Sequence, residues 1–242
     1  MTRFAVIVGI VSFLAGATSS VAGFGIGTIL TPLLGFGIGV RLAVAAASIP
    51  HFVGNGVRLW TLRHRVDKQV LKSFGLMSGA GALAGALLHA VASLPTLKFG
   101  MAALLIIAGG LGVGGYTDRV RMGPRGAWLG GALSGFLGGF VGNQGGIRAA
   151  AMLALDVRKE VFVATAVAIA LVVDGARLPI YAVTTGRELL GAWPIVLIAS
   201  SGVLAGTLMG KFLLGWIPEG VFRRIVSALL VALGIAIFVI GK

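Results

Sequence analysis

The sequence predicts an all-α polytopic membrane protein made of two homologous repeats, and three observations predict it. Charge is scarce: 11% of the residues are charged and 57% hydrophobic, with a mean hydropathy of +1.03. Soluble domains carry about 25% charged residues. Residues 4–40, 73–97, 99–117, 127–147 and 189–210 contain no Asp, Glu, Lys or Arg. Most of these runs approach or exceed the ~20 residues that span a bilayer. A glycine-rich break also occurs twice inside apolar sequence, as Gly23-Phe24-Gly25-Ile26-Gly27 and as Gly142-Asn143-Gln144-Gly145-Gly146.

The first run, 4–40, is too long for one crossing. Its 37 residues would make a helix of roughly 55 Å, against a hydrocarbon core of about 30 Å. It is slightly short for two full crossings and a turn. The break at 23–27 resolves this: one helix enters and unwinds, and a short second helix over about 28–36 continues or turns back. Non-helical backbone at that depth is tolerated only where protein buries it or where it lines a cavity. Arg3 before an apolar stretch is a weak signal-peptide pattern, but apolar sequence runs on past Gly27, so this segment is expected to be retained.

A helix over about 41–60 follows, with Pro50 as an expected kink, and then the basic loop 63–68. The next helix, about 69–92, carries Gly79, Gly81 and Gly85, small residues that let helices approach closely in lipid. After Leu94-Pro95 a helix runs to about 115, and a second basic loop spans 118–125. Residues 127–141 then lead to the second break, with a short segment over 147–155. Helices over about 158–183, 189–214 and 218–240 complete the chain.

The two halves match at offsets of 119 to 123. Gly56-Val57-Arg58-Leu59 pairs with Gly175-Ala176-Arg177-Leu178, Gly81 and Gly85 with Gly202 and Gly206, and Leu94-Pro95 with Ile217-Pro218. The expected division is a first repeat at 1–117, a basic linker at 118–126 and a second repeat at 127–242. Charge then chooses between topologies, because Lys and Arg concentrate in cytoplasmic loops. Of the 20 Lys and Arg, 17 lie in loops or at helix ends, leaving Arg58, Arg148 and Arg177 aside. If each break only bends a crossing, those 17 divide 10 to 7; if each makes a re-entrant hairpin, 12 to 5. The second division favours inverted repeats, each a glycine-broken helix pair followed by three transmembrane helices, with both termini outside the cytoplasm.

The composition excludes several functions. The net charge of +13 sits at the ends of apolar runs, with no aromatic-interleaved basic patch, so nucleic acid is not a partner. There is no cysteine, which removes disulfides and thiol chemistry. His51, His64 and His89 have no metal-ligand spacing, and neither a metal nor a cofactor is expected. No nucleophile elbow, acid–base pair or P-loop is present, so the chain is not expected to be an enzyme or to hydrolyse ATP. Its expected partners are the lipid bilayer and a small anion, with a homodimer left open.

Paired breaks in corresponding positions point to the binding site of a secondary transporter. A helix starting at the midplane offers unbonded N–H groups and the positive end of its dipole to an anion. Gly23, Phe24, Gly25, Gly27, Gly142, Asn143, Gln144, Gly145 and Gly146 are therefore candidate substrate-binding residues. Packing glycines are the plainer alternative. Arg148, in the first turn after the second break, either pairs with an oxyanion or bonds the carbonyls of the break. Arg58 and Arg177 occupy equivalent positions, each with a polar residue three positions earlier, Asn55 and Asp174. They either line two mouths of a pathway or snorkel to the interface. Asp174 is either the ion-pair partner of Arg177 or a proton acceptor, and His51 is either a hydrogen-bonded core residue or a proton relay.

The order of break, short helix, helix, basic loop, glycine-rich helix and Leu-Pro helix resembles the TauE/SafE sulfite exporter family. The first break continues as Thr28-Ile29-Leu30-Thr31-Pro32-Leu33-Leu34, similar to the family's glycine break and Pro-Leu-Leu ending. The second break departs from the pattern with amides and an arginine. The resemblance implies a multi-pass protein of a bacterial-type inner membrane that moves sulfite, sulfonates or thiosulfate, or small organic acids. An anion channel is the alternative to a carrier that alternates access and couples to protons.

Overall fold

The structure is a computed structural model that describes residues 2–22, 25–114, 124–142, 145, 148, 152, 159–214, 227–228, 231–232 and 234–239. Among these residues the regular structure is entirely helical. The elements are α1 (Thr2–Ala22), α2 (Ile26–Ile38), α3 (Val40–Leu62), a 3₁₀ turn (Arg63–Arg65), α4 (Lys68–Val70), a π-helical turn (Leu71–Gly75) and α5 (Leu76–Val91). They continue with α6 (Leu94–Val113), α7 (Pro124–Val141), α8 (Lys159–Gly191) and α9 (Trp193–Leu214). Five helical stretches among the described residues are long and apolar enough to cross a membrane: Arg3–Ser20, Lys68–Val91, Leu94–Leu111, Val161–Gly191 and Trp193–Gly210.

The first break forms where a long apolar run must stop short of a second crossing. α1 ends at Ala22, Gly25 takes φ 135°, and α2 starts at Ile26. That φ belongs to a region L side chains avoid and glycine enters freely. The 13 residues of α2 extend only about 20 Å, too short to cross. α2 doubles back along α1: Gly25 abuts Thr18 near the tip, and Gly37 abuts the Phe4 ring. Gly39, with φ 80°, then turns the chain into α3.

Two helix pairs are closed by glycine. Along α5 and α7, a Cβ on Gly81 or Gly85 would overlap the carbonyl oxygen of Ala132 or Phe136, and one on Gly135 that of Ser78. Along α1 and α9, a Cβ on Gly206 would overlap the Phe13 carbonyl oxygen, and one on Gly16 that of Val203. Backbones this close gain dispersion contacts that lipid cannot supply. The pairs are reciprocal, since α5 and α9 carry matching glycines and each packs on the helix before a break in the other half. α3 and α8 pack on each other between the pairs, and α3 also packs on α9 as α8 does on α5.

Several elements differ from the expected bounds. α8 runs 33 residues, to Gly191, because Arg187 and Glu188, which look like loop residues, lie on its last turns. The turn falls at Ala192, and α9 starts at Trp193 rather than 189. A π-helical turn at Leu71–Gly75 interrupts the helix expected over 69–92, as single π turns do inside α-helices. Pro50 lies inside α3 without ending it. The segments expected over 147–155 and 218–240 lie largely outside the described residues.

Candidate functional site

The two breaks meet. A Cβ placed on Gly27, in the first turn of α2, would lie 2.8 Å from the Gly142 carbonyl oxygen and 3.6 Å from His51 Cδ2. Gly142 has φ 75°, and a Cβ there would press on Thr31 and Val44. Only hydrogen fits at Gly27, and only glycine both fits and takes that backbone at Gly142. His51 stands about 17 Å along α3 from its start, near half the thickness of a hydrocarbon core.

The polar groups around this junction come from both halves. His51 Nδ1 donates to Asp174 Oδ2 at 2.7 Å, so in the neutral ring the proton is assigned to Nδ1 by its acceptor and Nε2 holds a lone pair. Nε2 is on the Gly27 side of the ring. Asp174 Oδ1 accepts from Arg177 Nε at 3.0 Å and Nη2 at 2.7 Å. Asn55 donates to the His51 carbonyl oxygen at 2.9 Å and lies against the ring. Asp174 is therefore the ion-pair partner of Arg177 and the anchor of His51 together.

Arg58 and Arg177 are both buried. Arg58 Nη1 donates to Ser19 Oγ at 2.8 Å, and Arg177 Nη1 to the Gly138 carbonyl oxygen at 2.6 Å. Each bond reaches back 39 positions, from a central helix to the end of the helix that precedes a break. The final carbonyls of any helix lack intrahelical partners. At α7 they are met by Arg177 at Gly138, Tyr181 Oη at Gly139 and His89 Nδ1 at Phe140, the last at 2.8 Å. Tyr181 and His89 carry no motif in the sequence. Their signal was only a polar group inside an apolar helix.

Arg148 is 2% exposed, one of the largest fully buried side chains described. It lies close enough to Arg58, Asp174, Arg177 and His51 to interact with them electrostatically. Among the described residues, Arg148 Nη1 and Arg58 Nη2 are buried and have no hydrogen-bond partner. The hydroxyl of Thr31, beside Gly142, is in the same condition. A buried donor without an acceptor costs its full desolvation, so these donors favour an acceptor brought to them. Gly25 and Gly145 are buried at the two breaks. Gly23, Phe24, Asn143, Gln144 and Gly146 lie outside the described residues.

Chemically, the arrangement can hold an anion and carry a proton on His51. The described residues contain no group of His, Asp and Glu arranged to hold a metal. A groove of about 540 Å³ lined by Lys68, Gln69, Lys72, Ser73 and Trp128 opens elsewhere, at the surface. Its lining residues are exposed or half-buried, unlike the groups at the junction.

Residues 8–237 match the model of a protein family described as Sulfite exporter TauE/SafE. No curated protein and no solved structure matches the chain.

Proposed function

The chain belongs to the sulfite exporter TauE/SafE family of membrane transporters, and we propose that it is a secondary transporter of a small sulfur-containing oxyanion. The substrate is of the sulfite, sulfonate or thiosulfate class, and the membrane is the bacterial cytoplasmic one. One observation carries this reading: among the described residues, Arg58 Nη2 and Arg148 Nη1 are buried donors without acceptors, the two arginines lie within electrostatic reach of each other, and Arg148 lies within reach of His51, which borders Gly27. Guanidinium donors and oxyanions form strong charge-assisted hydrogen bonds. The Ile26 and Gly27 N–H groups, ahead of the first bond within α2 from Ile29 to Gly25, add the positive end of that helix.

In this reading the repeats 1–117 and 127–242 are inverted, joined by the basic linker 118–126. The reciprocal packing of α1 on α9 and α5 on α7 supports it. Each pair, closed by glycine, moves as a block, and α3 with α8 forms the surface between them. Rocking of one block against the other exposes the anion to one side and then the other. His51 carries the coupled proton: Nδ1 is held by Asp174, and Nε2, on the Gly27 side and 3.3 Å from Asn55 Nδ2, is the position that gains it.

Flux of sulfite, thiosulfate and a sulfonate into proteoliposomes, with and without a pH gradient, tests the reading. Saturable flux of at least one anion, driven by the gradient, is expected. His51→Gln should leave anion binding in place and remove the response to the gradient. If no anion moves and none stabilises the purified protein, the carrier reading fails. Flux that does not saturate would make the protein a channel.

A further inference from the structure

We infer that the site selects for a doubly charged oxyanion over a singly charged one, with Arg58 and Arg148 as its two anchors. The inference rests on the transporter reading above and narrows its substrate class. Its basis is the charge of the buried centre. Among the described residues that centre holds three guanidiniums, Arg58, Arg148 and Arg177, and one carboxylate, Asp174. With His51 neutral, two positive charges remain uncompensated.

The two guanidiniums that lack a carboxylate are the two with a free nitrogen. Arg177 shares Asp174 through two donors and gives its third to Gly138. Among the described residues, the hydrogen-bond partner shown for Arg58 is the neutral Ser19 hydroxyl, and its neighbour at the position equivalent to Asp174 is the neutral Asn55. Arg148 interacts with Asp174 only at a distance, as a third claimant on one carboxylate. Charge buried in a low-dielectric interior is stable only when paired. A dianion brings the occupied centre to neutrality. A monoanion leaves one guanidinium uncompensated, and the occupied carrier would then have to move a buried net charge.

The test compares thiosulfate and sulfate with methanesulfonate, which replaces one charged oxygen of sulfate by a methyl group and keeps the SO₃ face. Binding to the purified full-length protein in nanodiscs is measured at one pH and one ionic strength. The dianions should bind at least about tenfold more tightly, the worth of one charge-assisted hydrogen bond. Arg58→Gln should bring the dianion and monoanion affinities together, and Arg58→Lys, which keeps the charge, should preserve the preference. The wild-type comparison stands even if a variant fails to fold. Equal binding of methanesulfonate and the dianions would overturn charge selection and leave the transporter reading intact. Absence of binding by any of these anions, together with no flux, would remove both.

Discussion

Arg58 and Arg177 occupy matching places on α3 and α8, and the difference between them separates structure from function. Each is buried and reaches the end of a helix that precedes a break. Arg177 is fully engaged, by Asp174 and by Gly138. Arg58 has Asn55 where Arg177 has Asp174, and one of its nitrogens is left without a partner. The same scaffold thus holds one arginine that closes an ion pair and one with a buried nitrogen left open. Asn55 against Asp174 is the difference nearest to the two arginines.

Breaking the closed half should have the largest effect. Asp174→Asn strands Arg177 without its carboxylate and frees His51 Nδ1. Removing one partner of a buried pair costs about 3–5 kcal/mol, and thermal unfolding of the purified protein should show a loss of that order. A variant as stable as the parent would mean that the pair is not closed in the membrane.

The halves should behave alike where their packing is alike. Gly85→Ala and Gly206→Ala each place a Cβ onto a backbone carbonyl oxygen, of Phe136 and Phe13. Overpacking of this kind costs about 1–3 kcal/mol. The two losses in unfolding free energy should be similar. A loss confined to one variant would break the equivalence of the blocks.

Much of this equivalence is legible in the sequence. The glycines of α5 and α9 match in spacing, the breaks interrupt apolar runs too long for one crossing, and Asp174 lies one helical turn before Arg177. Local spacing is enough for these. What spacing cannot carry is the approach of His51 to Asp174 across 123 positions, which exists only because α3 packs on α8. The partners of Tyr181 and His89 were invisible for the same reason: they are carbonyls of another helix, and every residue has one. Arg187 and Glu188 misled in the other direction, since charges near a water boundary fit a helix end as well as a loop.

Making the open half like the closed one should have a smaller effect, on binding rather than stability. Asn55→Asp places a carboxylate one turn before Arg58, as in the other half. It competes with the incoming anion for the guanidinium, and sulfate or thiosulfate affinity should fall by about tenfold, the worth of one charge-assisted hydrogen bond. Isothermal titration on the purified protein measures this. Unchanged affinity would show that Arg58 does not meet the anion.

The smallest effect is expected at Tyr181, whose hydroxyl donates to the Gly139 carbonyl oxygen at the end of α7. Leu62 occupies the matching place on α3, so this bond belongs to the second half alone. Tyr181→Phe keeps the ring and its edge contact with His89 and removes only the donor. The carbonyl is buried beside the second break, and one such bond is worth about 0.5–1.5 kcal/mol. Stability should fall by that amount with anion affinity unchanged, because Tyr181 stands on the closed side with Arg177. A drop in affinity at unchanged stability would move the hydroxyl into the binding site, and with it the boundary between the two halves.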